Sequence, residues 1–181
     1  MPILEYKLAS REVLKYQLDV TVMEQPSEDT AEFELLLVLK VGTDGEMSSE
    51  TRVENRSGPV KIPDAFLRPA KYAIPPQEGQ PFLPVLPARE LHKGDSWTAQ
   101  EVGPDGKPVV VFYEITAIDD SQAEIVSRKV LQDAAGRRTE MENLYEFSLP
   151  KGRVLLAQTV TESQLSGGRQ VRTVAEYELL D

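Results

Sequence analysis

The chain has no cysteine and a single histidine, His92. Disulfides and thiolate metal sites are therefore excluded, and a typical structural zinc site cannot be assembled from one copy. A Ser-His-Asp triad would have to run through His92, and no Gly-x-Ser-x-Gly elbow accompanies any serine. No phosphate loop or dinucleotide fingerprint is present, since Ser166-Gly167-Gly168 falls between two expected strands and opens no helix. Basic residues are in deficit. Twenty Lys and Arg against thirty Asp and Glu leave a net charge of −10, which repels phosphate backbones and anionic lipid surfaces. Long apolar runs are lacking too: Leu35 to Leu39 is far short of the roughly 20 residues of a membrane-spanning helix. No charged segment followed by an apolar one opens the chain as an export signal would, and composition leaves the compartment open.

What the sequence does contain is alternation. Leu14, Tyr16, Leu18, Val20 and Val22 share one parity, with Lys15, Gln17, Asp19 and Thr21 on the other, the period of two expected of a half-buried strand. Val171, Thr173, Ala175, Tyr177 and Leu179 repeat the device near the end of the chain. Turn residues punctuate these runs at Asp44-Gly45, Asp105-Gly106, Lys151-Gly152 and Gly167-Gly168. Strands are expected near 3–8, 12–24, 31–42, 46–54, 96–102, 108–118, 122–132, 138–149, 153–164 and 169–180. The connections after residue 102 are short, so consecutive strands should be antiparallel neighbours. The expected fold is a single all-β domain over 1–181, an antiparallel meander of about ten strands, as a strongly curled sheet or a two-layer sandwich, with a closed up-and-down barrel as the other topology.

Residues 58–94 form a proline-rich connecting segment. Pro59, Pro63, Pro69, Pro75, Pro76, Pro81, Pro84 and Pro87 bar a central strand or a long helix, because proline lacks the ladder donor and fixes φ. Yet Ile62, Phe66, Leu67, Tyr72, Ile74, Phe82, Leu83, Val85 and Leu86 give it too much apolar surface for a solvated linker. It is expected to pack on the sheet. Two strands ask for such a cover: Leu36 and Val38 break the alternation after Phe33, and Val109, Val110, Val111 and Phe112 are apolar on both parities.

Reactive side chains read mostly as structure. His92, in Leu91-His92-Lys93-Gly94-Asp95, reads as an exposed loop residue. Glu140 with Glu142 and Glu176 with Glu178 read as a solvated sheet face, and Asp119-Asp120-Ser121 as a hairpin turn. Asn55-Arg56-Ser57 matches a glycosylation sequon. Trp97, the sole tryptophan, is expected to anchor the core at the end of the sheet, ahead of a ligand-stacking role.

The segment Leu86-Pro87-Ala88-Arg89-Glu90-Leu91-His92-Lys93-Gly94-Asp95-Ser96-Trp97, running into Tyr113-Glu114-Ile115, resembles an element of uncharacterised bacterial envelope proteins. In that element a proline-containing stretch leads through Gly-Asp-Ser/Thr-Trp into a β-meander; the Tyr6 to Tyr16 stretch is similar to their N-terminal hairpin. The resemblance implies an exported or envelope location after signal removal and carries no catalytic residues with it. This chain departs from those proteins in lacking an export signal and a lipobox cysteine.

The functional expectation is a non-enzymatic binding or interaction module without metal or cofactor, whose partner is an apolar small molecule or another protein chain, a second copy included. Trp97, Phe66, Tyr72 and Phe82 are the candidate ligand-binding residues, with the Pro75-Pro76 loop as a gate. The assembly alternative uses an apolar sheet face. An enzyme alternative, a carboxylate-based hydrolase, would draw on Asp64, Glu78, Glu90 or Asp95 near Trp97.

Overall fold

The computed structural model describes residues 2–63, 66–67, 70–73, 83–102, 107–132 and 135–181. The described residues form ten strands: β1 Val13–Gln25, β2 Thr30–Val41, β3 Glu46–Ser57, β4 Ala70–Ala73, β5 Ser96–Val102, β6 Pro108–Ile118, β7 Gln122–Gln132, β8 Arg138–Ser148, β9 Arg153–Gln164 and β10 Gln170–Leu179. They form one sheet in the order β4-β3-β2-β1-β10-β9-β8-β7-β6-β5, antiparallel throughout. No α-helix occurs among the described residues, and no helix there is long and apolar enough to cross a membrane.

The alternation that specifies these strands also specifies their faces. Leu14, Tyr16, Leu18, Val20 and Val22 are buried, and Lys15, Asp19 and Thr21 are exposed. Asp119 makes the expected turn, its Oδ1 accepting from the Ser121 and Gln122 backbone N–H groups at 2.7 and 2.9 Å. Gly167 and Gly168, both at positive φ, reverse the chain between β9 and β10.

Two meanders, β4 to β1 and β10 to β5, meet where β1 pairs with β10, from Tyr16 opposite Leu179 to Gln25 opposite Gln170. The sheet is one curled layer, neither a two-layer sandwich nor a closed barrel. β4 and β5 are its two edges. Right-handed twist accumulated over ten strands curls the sheet, so that residues from β3 and from β8 face one another across the concavity.

The described part of the proline-rich segment packs on the sheet. It fills the concave face: Val60, Leu83 and Leu91 are buried in the same core as Leu35, Tyr113 and Phe147, and Ile62, Phe66, Val85 and Leu86 pack against it. On the second face of β2, Leu36 and Val38 are buried as well, at 9% and 6% exposure. Leu36 and Val38 are flanked across the ladder by Gln17, Lys15, Arg52 and Glu50, whose aliphatic stems can shield them while their polar ends stay in water. On β6, Val110 and Phe112 remain exposed, Phe112 at 61%. Gly58 (φ +91°) starts the chain across the concave face at the end of β3, and a Cβ there would overlap the Thr30 carbonyl oxygen.

The strand expected at 3–8 is absent. That stretch, which carries alternating Leu4, Tyr6 and Leu8, is instead a strap over the core. It is held by one bridge between Ile3 and Glu90, by the Lys7 N–H donating to the Gly152 carbonyl at 2.9 Å, and by Arg153 pairing with Glu12. Conversely, β4 arises inside the proline-rich segment, as a four-residue edge strand where no central ladder position is required.

Leu39, fully buried on the concave face, should lose about 2 to 5 kcal/mol of stability as Leu39→Ala, whereas Phe112→Ser on the convex face should change it by no more than about 0.5 kcal/mol. Denaturant unfolding of the two variants checks which face holds the core.

Candidate functional site

The concave face has two zones. In the first, the aromatic rings of Tyr16, Tyr145 and Phe147 pack with Leu39, Met47, Ile115 and Ile125 under the strap and the 83–91 segment. Tyr16 Oη donates to the Val154 carbonyl at 2.6 Å, and Tyr6 meets Phe147 edge-on with centroids 5.6 Å apart. Burial pushes the phenols of Tyr6, Tyr16 and Tyr177 up from their ordinary value.

An aromatic clamp ties the cover to the sheet edge. Trp97 on β5 stacks on Tyr113 on β6, with centroids 5.2 Å apart and planes 6° from parallel. The two rings grip one peptide segment: Trp97 Nε1–H donates to the Val85 carbonyl at 2.7 Å, and the Val85 N–H donates to Tyr113 Oη at 3.3 Å. Tyr6 Oη donates to the neighbouring Pro84 carbonyl. Trp97 thus has its indole N–H engaged and its face covered by Tyr113.

Between the zones runs a polar ladder absent from the sequence reading. Asn143 Nδ2 donates to Ser127 Oγ at 2.9 Å, and Thr159 Oγ1 donates to Asn143 Oδ1 at 2.7 Å. All three are buried, as is Tyr177, whose phenol pairs with Thr159. A hydrogen-bonded ladder across β7, β8, β9 and β10 keeps polar groups satisfied where an apolar lining would collapse inward. The signal was available: Ser127, Asn143, Thr159 and Thr173 all fall on the apolar parity of adjacent strands.

Beyond the ladder the concave face is hollow. A cavity of about 360 Å³ is walled by Leu18 and Leu37 from the centre of the sheet, Ser49 and Thr51 from β3, Leu131 from β7, Thr139 and Met141 from β8, Thr159, Thr161 and Ser163 from β9, and Val171, Thr173 and Tyr177 from β10, with Pro63, Phe66 and Leu165 beside them. Its inner wall is buried at Leu18, Leu37, Thr159 and Tyr177, whereas Thr139, Ser163, Leu165 and Val171 are only half-buried, which places the mouth at their end. A depression of about 420 Å³ on the convex face is walled instead by Arg128, Arg138, Glu140, Glu142 and Arg172. That surface is ion-paired, Arg128 to Glu142 at 2.8 Å and Arg138 to Glu140 at 2.7 Å, as a solvated face should be.

The structure divides the four candidate binding residues. Phe66 lines the cavity, whereas Trp97 belongs to the clamp at the β5 edge. Tyr72 lies on β4 with its side chain outside the described residues, and Phe82 and the Pro75-Pro76 loop lie outside them altogether. Sequence reasoning missed the threonines and serines of the cavity wall.

The carboxylates proposed near Trp97 form no described pair. Asp64 and Glu78 lie outside the described residues. Asp95 accepts from the His92 backbone N–H at 2.9 Å, and this bond, aided by the His92 ring and by Arg89 at 3.4 Å, holds its carboxyl below the usual carboxylate range. A carboxylate held ionised in this way makes a poor proton donor. Among the described residues, no group of three His, Asp or Glu side chains is arranged to hold a metal ion.

No family model and no curated protein matches the chain. Among solved structures, a chain described under lipid–protein interactions in lipovitellin aligns with a TM-score of 0.61 over 97% of this chain, at 12% identity. At that identity the likeness is one of fold. The present chain spans 26% of that chain's length.

Replacing Trp97 by Phe keeps a ring on Tyr113 but deletes the donor to Val85. It should cost about 0.5 to 1.5 kcal/mol and speed proteolytic cutting of the 83–91 segment, measured by denaturant unfolding and limited proteolysis. The buried phenols give a second expectation. Because folding raises their pKa, the stability they contribute is fully present below the unfolded value of about 10 and is lost as pH climbs through the raised folded values. Thermal melts should therefore decline above about pH 10, less steeply for Tyr16→Phe with Tyr177→Phe. A decline equally steep in that double variant would assign the alkaline loss to other groups.

Proposed function

We propose that this chain is a non-enzymatic binding module that carries an apolar small molecule in the cavity of its curled sheet. The observation that supports the reading is the cavity itself: opposite arms of one sheet, joined by Pro63 and Phe66, leave hollow a space that packing would otherwise fill. Its volume of about 360 Å³ falls within the ordinary range of small-molecule sites. The likeness in fold to lipovitellin, a protein described by its lipid–protein interactions, accords with this use of the sheet. The Gly94–Trp97 resemblance adds an envelope location to the proposal.

A second reading has its own observation. Phe112, Val110 and Val130 are exposed on neighbouring strands of the convex face, and an exposed apolar face of this kind suits assembly with another chain.

Titration with the fluorescent apolar dye aminoanthracene separates the two. Thr161→Phe should fill the cavity and weaken dye binding about tenfold or more while the unfolding midpoint holds, and Phe112→Ser should leave binding unchanged. Dye binding lost in Phe112→Ser and kept in Thr161→Phe would contradict the carrier reading and favour the convex face.

A further inference from the structure

The lining of the cavity says more than that its ligand is apolar. Resting on the carrier reading, we propose that the cavity takes a single-chain lipid with an uncharged, hydrogen-bonding head group, such as a medium-chain alcohol, and selects it over the fatty acid of the same length. Three observations carry this, of size, charge and hydrogen bonding.

Size comes first. A space of about 360 Å³, at about 30 Å³ for each water-sized group, holds on the order of a dozen such groups. That suits one chain of about twelve carbons better than the two long chains of a diacyl lipid.

Charge comes second. None of the described residues that wall the cavity is Lys, Arg, Asp or Glu. A carboxylate at the half-exposed mouth would give up part of its hydration without a cation among these wall residues to meet it, which weakens its binding relative to an uncharged head group. The protein's net charge of −10 opposes an anion as well. The one cation on the concave face of β7, Lys129, sits two residues from Leu131, but its side chain is buried and already engaged within the protein.

The third is the hydroxyl array at the mouth. Thr139 Oγ1 and Ser163 Oγ, on adjacent strands, lie 3.0 Å apart, and either can be the donor. One hydroxyl proton is used between them, so the pair keeps one donor and free lone pairs. It can therefore give to and accept from the same alcohol group. The chain would lie inward, against Leu18, Leu37 and Phe66, and the head group outward, where the wall is half exposed.

Displacement of bound aminoanthracene tests this at neutral pH with three competitors: dodecanol, dodecanoate and dioleoyl phosphatidylcholine vesicles. Dodecanol should displace the dye at a concentration roughly tenfold lower than dodecanoate, in keeping with an uncompensated charge, and the vesicles should not displace it. Thr139→Val with Ser163→Ala should weaken dodecanol about two- to tenfold while dye affinity holds. Dodecanoate binding as tightly as dodecanol, above all if Lys129→Met then abolishes it, would overturn the proposal and leave the carrier reading standing. Dye that binds and is displaced by neither single-chain competitor, or is displaced by the vesicles, would do the same. Failure of the dye itself to bind would remove the carrier reading and this inference together.

Discussion

Everything in this structure depends on the pairing of β1 with β10. The ladder from Tyr16–Leu179 to Gln25–Gln170 joins residues about as far apart in sequence as the chain allows. Each meander on its own would expose a free edge at this point and lose its neighbour's side chains. Joined, they place Leu18 beside Tyr177 and Val20 beside Ala175, all buried, and the twist runs uninterrupted through ten strands. The curl, the concavity and the cavity all follow from that continuity. The loop-closure entropy of so distant a pairing must be offset by contacts that form with it, and the strap and the Arg153–Glu12 pair lock the same end of the sheet.

The concave face is then filled unequally. At one end the 83–91 segment is held by specific polar contacts, Trp97 and Tyr113 on either side of Val85 and Tyr6 on Pro84. At the other, Ser and Thr side chains occupy inward positions where Leu or Phe would close the space. The Ser127–Asn143–Thr159 ladder stands between the two. A molecule that needed only stability would place apolar residues at those positions; polar groups at several inward positions of adjacent strands keep a space open.

Most of the strands were legible because side-chain parity is a local property: Leu14 to Val22 and Val171 to Leu179 declare their faces without reference to any partner. The direction of the cover was not. Leu36, Val38, Val110 and Phe112 read alike as a demand for cover, yet the first two are buried among long polar neighbours on β1 and β3 and the last two are left exposed. Which of these happens depends on the residues opposite, and so on a register that the sequence of one strand does not contain. The strap at 3–8 misled for a related reason, since alternation is also what a single extended segment needs to bury one side. Of the residues that line the cavity, Phe66 stood out by its apolar character within a proline-rich segment. Thr139, Thr161 and Ser163 were invisible as a site because each is an ordinary strand residue until the curl brings it opposite β3.

The curl itself can be measured. Thr51 on β3 and Thr139 on β8 are separated by five strand-to-strand steps in the sheet order, about 24 Å along the sheet if it were flat, yet both line one cavity. The absence of cysteine from the chain allows spin labels to be attached at these two positions alone, through Thr51→Cys and Thr139→Cys. The structure predicts a single narrow distance distribution well short of about 24 Å. A distribution centred at or beyond that distance would show an open sheet with no enclosed space, and the cavity and every function assigned to it would go with the curl.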